Sequence, residues 1–209
     1  MTYIKICGIT RIEDAEKAVS CGASALGFIA FPPSARYITS SRFAELASQI
    51  KTLKPTVELV VVMVNPSLEE VEAYRAAGAD IIQFHGQETP AFVNAVKGRC
   101  WKAFNLHSAD QLEQLLQYNV EKFLIDSFVK GEKIPGGSGV KADWVLSRHA
   151  VEYLQKPVIL AGGITADNIV EAIEAVKPHG IDLSSGVESA PGIKSHNQLT
   201  NLFKTLGEK

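Results

Sequence analysis

Eight short apolar runs, each followed by a stretch of helical period, constrain this chain more than any other feature. The runs are Ile4–Cys7, Ala25–Ala30, Leu59–Val64, Ile81–His85, Trp101–Phe104, Lys122–Asp126, Val158–Ala161 and Ile181–Ser184. They are rich in Val and Ile and nearly continuous rather than alternating, as parallel strands covered on both faces must be. Between them apolar residues recur at helical spacing, for example Ile12, Ala15 and Val19 after the first run and Leu112, Leu115 and Leu116 after the fifth. The 209 residues divided among eight units give about 26 each, which leaves no space for a long linker. Eight right-handed strand–helix units predict an α/β chain folded as one closed (β/α)8 barrel, a TIM barrel, over residues 1–209. An open doubly wound sheet is the alternative. The similarity of Cys21–Phe28 to Ala77–Phe84 fits repeated construction from one kind of unit.

Local signals mark the unit boundaries. Thr10-x-x-Glu13, Ser67-x-x-Glu70 and Ser108-x-x-Gln111 have capping-box spacing, and Thr89-Pro90 sets a cap residue before a proline suited to a first helical turn. Gly22, Gly78, Gly98 and Gly180 follow helical stretches, where a left-handed residue closes a helix.

Charge and cysteine usage exclude several classes of function. Lys+Arg 21 against Asp+Glu 23 gives a net charge of −2, so no basic field exists to hold a nucleic-acid backbone. The longest wholly apolar run, Leu59–Val64, is far too short to cross a bilayer. Residues 1–8 contain no basic segment leading into a long apolar one, so no secretory signal is expected. Three cysteines without CxxC spacing argue against a disulfide framework and a zinc site. Five histidines without an HxH or HExxH pair give no support for any metal. A cytoplasmic protein with no nucleic-acid or membrane partner is expected, as a monomer or a homodimer.

A (β/α)8 barrel builds its site at the C-terminal ends of its strands, which turns the strand assignment into a short set of residues. Gly162-Gly163 follows run seven and leads to a helix expected near Thr165, and Ser184-Ser185-Gly186 follows run eight. Small residues let backbone N–H groups approach a phosphate, and a helix N-terminus favours it electrostatically. These two loops are the usual phosphate site of the fold, so a phosphorylated small molecule is the expected ligand. Cys7 ends run one and is followed by Gly8, two residues before a predicted cap; it reads either as a thiolate stabilised by the helix N-terminus or as a small buried hydrophobe. Asp126 ends run six as a loop cap or as a general acid/base. Arg36 is a carboxylate clamp or a solvated surface group, and His85 a structural or a catalytic residue. Gly136-Gly-Ser-Gly139 is a mobile cover or an ordinary loop.

In combination these segments resemble the phosphoribosylanthranilate isomerase family of tryptophan biosynthesis. The resemblance opens with Lys5-Ile-Cys-Gly-Ile-Thr10 and continues through Ala25-Leu-Gly-Phe28, Ser34-Ala-Arg-Tyr-Ile38 and Gln83-Phe-His-Gly86. It then takes in Leu124-Ile-Asp-Ser127, the glycine stretch with Asp143-Trp144, Leu160-Ala-Gly-Gly-Ile164, Asp182-Leu-Ser-Ser-Gly-Val-Glu188 and Pro191-Gly192. Phe84, Ala142 and Ala35 depart from the commonest family pattern. The resemblance implies an Amadori rearrangement of N-(5-phosphoribosyl)anthranilate to 1-(2-carboxyphenylamino)-1-deoxyribulose 5-phosphate, without metal or organic cofactor. It implies Cys7 as general base, Asp126 as general acid and Arg36 near the anthranilate group. Gln83, His85 and Asp182 are expected to join Arg36 in substrate contact. Gly162, Gly163, Ser184, Ser185 and Gly186 are expected to hold the phosphate. The competing readings are another phosphosugar isomerase on the same barrel, from which the strand-one cysteine separates it, and a catalytically silent phosphate-binding module.

Overall fold

The computed structural model describes residues 2–126 and 139–207, with only the backbone over 139–143. Eight strands, β1 (Tyr3–Cys7), β2 (Ala25–Ile29), β3 (Glu58–Met63), β4 (Ile81–Phe84), β5 (Cys100–Phe104), β6 (Lys122–Asp126), β7 (Val158–Ala161) and β8 (Gly180–Leu183), run parallel in sequence order. β8 pairs back onto β1 with Lys5 opposite Asp182, so the barrel closes and the open sheet is excluded. Around it lie α1 (Ile12–Cys21), α2 (Ser40–Leu53), α3 (Leu68–Ala76), α4 (Pro90–Ala95), α5 (Leu112–Leu115), α6 (Gly139–Tyr153), α7 (Ile169–Val176) and α8 (His196–Gly207).

Strand alternation divides the apolar residues into two sets. Ile4, Ile6, Leu26, Phe28, Leu59 and Val61 belong to the large cluster packed against the helices. Ala25, Val60, Ile81, Trp101, Ala103, Leu124, Ile159 and Ala161 form a separate lumenal cluster, with Tyr3 against it. The Tyr3 and Trp101 rings meet edge-on at 6.0 Å and Lys122 lies over both, which fills the N-terminal end of the barrel. Above this apolar plug the lumen turns polar, with Lys5, Gln83 and Asp182 buried in it.

Several boundaries follow the sequence signals. Ser67 and Glu70 form the reciprocal capping box of α3, and Thr89 accepts from Phe92 N with Pro90 in the first turn of α4. Gly22 and Gly78 take left-handed conformations beyond α1 and α3. Four expectations are corrected. Thr10 does not cap α1, because its hydroxyl donates to Gly192 O at 2.6 Å; Arg11 precedes the helix and pairs instead with Asp14. Gly180 does not close α7. Lys177 does, at φ 53°, whereas Gly180 lies inside β8, where a Cβ would come 2.5 Å from Tyr3 O. The Ser108–Gln111 box opens only a 3₁₀ turn and the four residues of α5, which leaves Leu116 exposed. The helix expected near Thr165 begins at Ile169, because Asn168 folds back to accept from Thr165 N and donate to Gly163 O. A short hairpin without a sequence forecast, β9 (Glu188–Ala190) and β10 (Ile193–Lys194), turns through Gly192 at φ 81°.

Candidate active site

At the mouth of the barrel, β1 delivers Lys5 and Cys7 on the lumenal face two residues apart. Lys5 is fully buried and donates to Asp182 Oδ2 and to Gln83 Oε1, each at 2.9 Å, tying β1 to β8 and β4. Burial opposes its charge, but Asp182 and Cys7 outweigh that and hold its pKa above the ordinary lysine value. Cys7 lies over β2, where a Cβ on Gly27 would come 2.6 Å from Sγ, so only glycine leaves the thiol its place. Gly8, at φ 79°, turns the chain there, and the amides of Gly8 and Ile9 both donate to Gly27 O at 2.9 Å.

The expected stabilisation of Cys7 by a helix N-terminus is not found. α1 begins only at Ile12, and burial pushes the thiol above its ordinary pKa. Lys5 and Lys194 pull the other way, while Asp182 adds to the upward shift. The groups that favour a thiolate here are thus two buried lysines. Lys194, from β10, donates to the Cys7 carbonyl, to Ser184 O at 3.2 Å and to Glu188 Oε1 at 2.8 Å. Burial lowers its pKa against the pull of Glu188.

Arg36 reaches the site from the loop after β2, its stem running across Gly8. Its guanidinium grips a carboxylate bidentately, as fork geometry allows, but that carboxylate is Glu188: Nε donates to Oε1 at 2.9 Å and Nη2 to Oε2 at 2.6 Å. Burial works against the Glu188 charge, yet Arg36 and Lys194 hold its carboxyl below the ordinary range.

On the far side, β6 stands three strands from β1 by way of β8 and β7. It ends in Asp126, whose Oδ2 lies 3.9 Å from His85 Nε2. His85 follows β4, and its Nδ1 is 3.1 Å from Gln83 Nε2. Gln83 is buried with both amide ends engaged by Lys5 and His85, one layer beneath the surface of the mouth. The turn carrying His85 is itself pinned. Lys102, buried on β5, donates to Gly86 O at 2.9 Å and meets Glu88 Oε2 at 3.1 Å, while Glu88 accepts from Gly86 N.

The two glycine loops lie against each other. Gly162 and Gly163 both have positive φ, 91° and 63°. A Cβ at Gly186 would fall on the carbonyl of Ile164, so glycine is what lets the β8 loop pack on the β7 loop. Ser184 leads into a 3₁₀ turn over Ser185–Val187. Asp182 Oδ1 and Ser184 Oγ are buried and make no hydrogen bond among the described residues. No set of three His, Cys, Asp or Glu side chains able to hold a metal occurs among those residues.

The family model for N-(5'-phosphoribosyl)anthranilate (PRA) isomerase matches residues 4–205. An N-(5'-phosphoribosyl)anthranilate isomerase of Citrifermentans bemidjiense is 40% identical over 205 residues, covering 97% of this chain and 96% of that protein. The crystal structure of phosphoribosyl anthranilate isomerase from Thermotoga maritima superposes with a TM-score of 0.86 at 31% identity, over the full length of both chains. A phosphoribosyl anthranilate isomerase solved in complex with reduced 1-(o-carboxyphenylamino)-1-deoxyribulose 5-phosphate has a TM-score of 0.85 at 30% identity, again over both full lengths. The chain belongs to the phosphoribosylanthranilate isomerase family.

Within this family member, the barrel gathers the expected residues into two lumenal groups, Cys7 with Arg36 and Asp182 on one side and His85 with Asp126 on the other, beside the adjoining glycine loops. The Gly136–Ser138 part of the expected cover lies outside the described residues, as do the side chains of Ala142 and Asp143. Lys5, Lys102, Glu88, Glu188 and Lys194 were not singled out for the site. Lys5 had one sequence signal: a lysine inside an apolar strand, on the same face as Cys7. Glu188 had another, as the last residue of the strand-eight motif.

Proposed function

We propose that this chain isomerises N-(5'-phosphoribosyl)anthranilate to 1-(2-carboxyphenylamino)-1-deoxyribulose 5-phosphate in tryptophan biosynthesis. The observation that carries this reading is the chain-long family match, in a barrel whose mouth holds a thiol, a carboxyl group and two glycine loops. Asp126 as general acid protonates the furanose ring oxygen; the C1–O bond breaks as the anilino nitrogen forms the C1=N bond. Cys7 as thiolate then takes the proton from C2, and the released pair gives the enolamine, which tautomerises to the ketone. Acid and base must reach different atoms of one sugar, and β1 and β6, well apart around the barrel, fit that need. Each proton transfer contributes about 10²–10⁴-fold. Lys5 and Lys194 supply the positive charge that the buried thiolate requires. Arg36 binds the anthranilate carboxylate with donors beyond those given to Glu188, and Asp182 takes a sugar hydroxyl on Oδ1, which has no hydrogen bond among the described residues. His85 borders the sugar, and Gln83 supports it from below. Gly162, Gly163, Ser184, Ser185 and Gly186 bind the phosphate. The protein acts in the cytoplasm as a monomer or homodimer and uses no cofactor.

The test is product identity. Incubation with phosphoribosylanthranilate is expected to give a compound of unchanged mass whose C2 carbon moves from the alcohol to the ketone region of the ¹³C spectrum. Substrate unchanged beyond its spontaneous decay would reject the reading in favour of a silent phosphate-binding barrel.

A further inference from the structure

We propose that His85 is a positioning residue for Asp126, locked in one tautomer by a hydrogen-bond chain that starts at Lys5. The inference rests on the reading of Asp126 as the general acid.

The chain has a single direction. An ammonium group only donates, so Gln83 must turn its oxygen to Lys5, 2.9 Å away. Its amide nitrogen is then the atom 3.1 Å from His85 Nδ1, and that nitrogen has only donors. His85 Nδ1 therefore accepts, and the ring proton sits on Nε2, the atom that faces Asp126 Oδ2 at 3.9 Å. Four charged groups bear on His85 from the surrounding strands: Asp126 on β6, Lys5 on β1, Asp182 on β8 and Lys102 on β5. Burial first, then the two lysines, push the imidazole pKa below its ordinary value against the two carboxylates, which favours the neutral ring. The backbone leaves it little freedom. His85 N donates to Met63 O at 2.8 Å, Lys102 and Glu88 hold Gly86, and a Cβ on Gly86 would come 2.5 Å from Asn65 Oδ1.

A separation of 3.9 Å is too long for a hydrogen bond in the resting state. When Asp126 passes its proton to the ring oxygen, negative charge develops on its carboxylate, and the fixed Nε2–H closes on it. The proton stays on His85 throughout. The contact is thus stronger in the transition state than before it, and it enters kcat rather than KM. A hydrogen bond to a charged group typically changes a rate by about 10–100-fold.

The sign of the pH effect is fixed by the same geometry. A donor to the carboxylate keeps the Asp126 pKa down, so removing it raises that pKa. Activity that needs protonated Asp126 is lost as pH rises through its pKa, so the basic limb moves to higher pH.

The experiment measures kcat, KM and the kcat–pH profile for wild type, His85→Ala, His85→Gln, Gln83→Glu and Asp126→Asn. A further arm reads the His85 tautomer of the wild type by ¹⁵N NMR, assigned by difference from His85→Gln. His85→Ala is expected to lower kcat about 10–100-fold with KM within about twofold, and to move the basic limb upward. His85→Gln, whose amide Nε2 donor can take the position of the imidazole Nε2, restores most of the rate. Gln83→Glu accepts from both neighbours, flips the ring proton to Nδ1 and behaves like His85→Ala. A wild-type ring protonated on Nδ1, an unmoved limb in His85→Ala, or a raised KM with unchanged kcat would overturn the proposal, the last marking His85 as a substrate contact and nothing more. Full turnover in Asp126→Asn would instead overturn the reading of Asp126, and is a distinct result.

Discussion

Cys7 has a thiol at the end of a strand, and its surroundings decide what that thiol can do. Burial disfavours the thiolate, and the cations that oppose it are Lys5 beside it in the lumen and Lys194 from the β10 hairpin. Lys5→Met is therefore expected to raise the pH at which Cys7 is alkylated by iodoacetamide by about one unit or more, read by peptide mass spectrometry. The same change leaves Asp182 buried without its partner and lowers stability by about 3–5 kcal/mol in denaturant titration. An unshifted alkylation curve would remove Lys5 from the role. The thiol, the Asp126 carboxyl and Arg36 were legible in the sequence because strand ends in a barrel share one mouth. The lysines were not: alternation places Lys5 on the face of Cys7, but nothing in the sequence declares what meets either lysine. Lys194 in particular reaches Cys7 across a separation of 187 positions through a hairpin of two short strands.

At the level of elements, the proposed phosphate site is a contact between two loops rather than a property of either. Gly186 sits against the Ile164 carbonyl, and Asn168 holds the Gly163 carbonyl from the start of α7. Gly186→Ala is expected to push the β8 loop off the β7 loop. The predicted outcome is a KM raised about tenfold or more and weaker competitive inhibition by inorganic phosphate, with the thermal midpoint lowered by only a few degrees. Inhibition by phosphate equal to wild type would place the anion elsewhere. The existence of each strand–helix unit could be read from periodicity and glycine placement, and the capping box of α3 formed as spaced. Two of the failures are diversions of a signal by a competing contact, one distant and one within the loop itself. Thr10 is engaged by Gly192, and Asn168 takes the turn that Thr165 was expected to begin.

For the whole molecule, the barrel is sealed at one end and chemical at the other. At the sealed end Arg99 joins Glu58 and Glu121 at 2.5 and 2.6 Å, and Tyr3 donates to Glu58 at 2.6 Å beneath the Trp101 plug. Hydrogen bonding to Arg99 depresses the Glu121 carboxyl to about 2. A lowered acid pKa stabilises the fold above the ordinary carboxylate range and loses that contribution as pH falls from 4.5 towards 2. Because Arg99 is partly exposed, Arg99→Met is expected to destabilise by only about 1 kcal/mol or less at pH 7, with the wild-type and variant thermal midpoints converging as pH falls towards 2. A constant difference across that range would assign the loss to packing.

Cys7 and Asp126, as base and acid at one mouth, carry the proposed reaction. The most direct measurement is the decay of anthranilate-type fluorescence when freshly made phosphoribosylanthranilate meets wild type, Cys7→Ala and Asp126→Asn in parallel. Fast decay with wild type and kcat lowered about 10²-fold or more in each variant, with KM little changed, is the expected result. Wild-type turnover retained in either variant would contradict it.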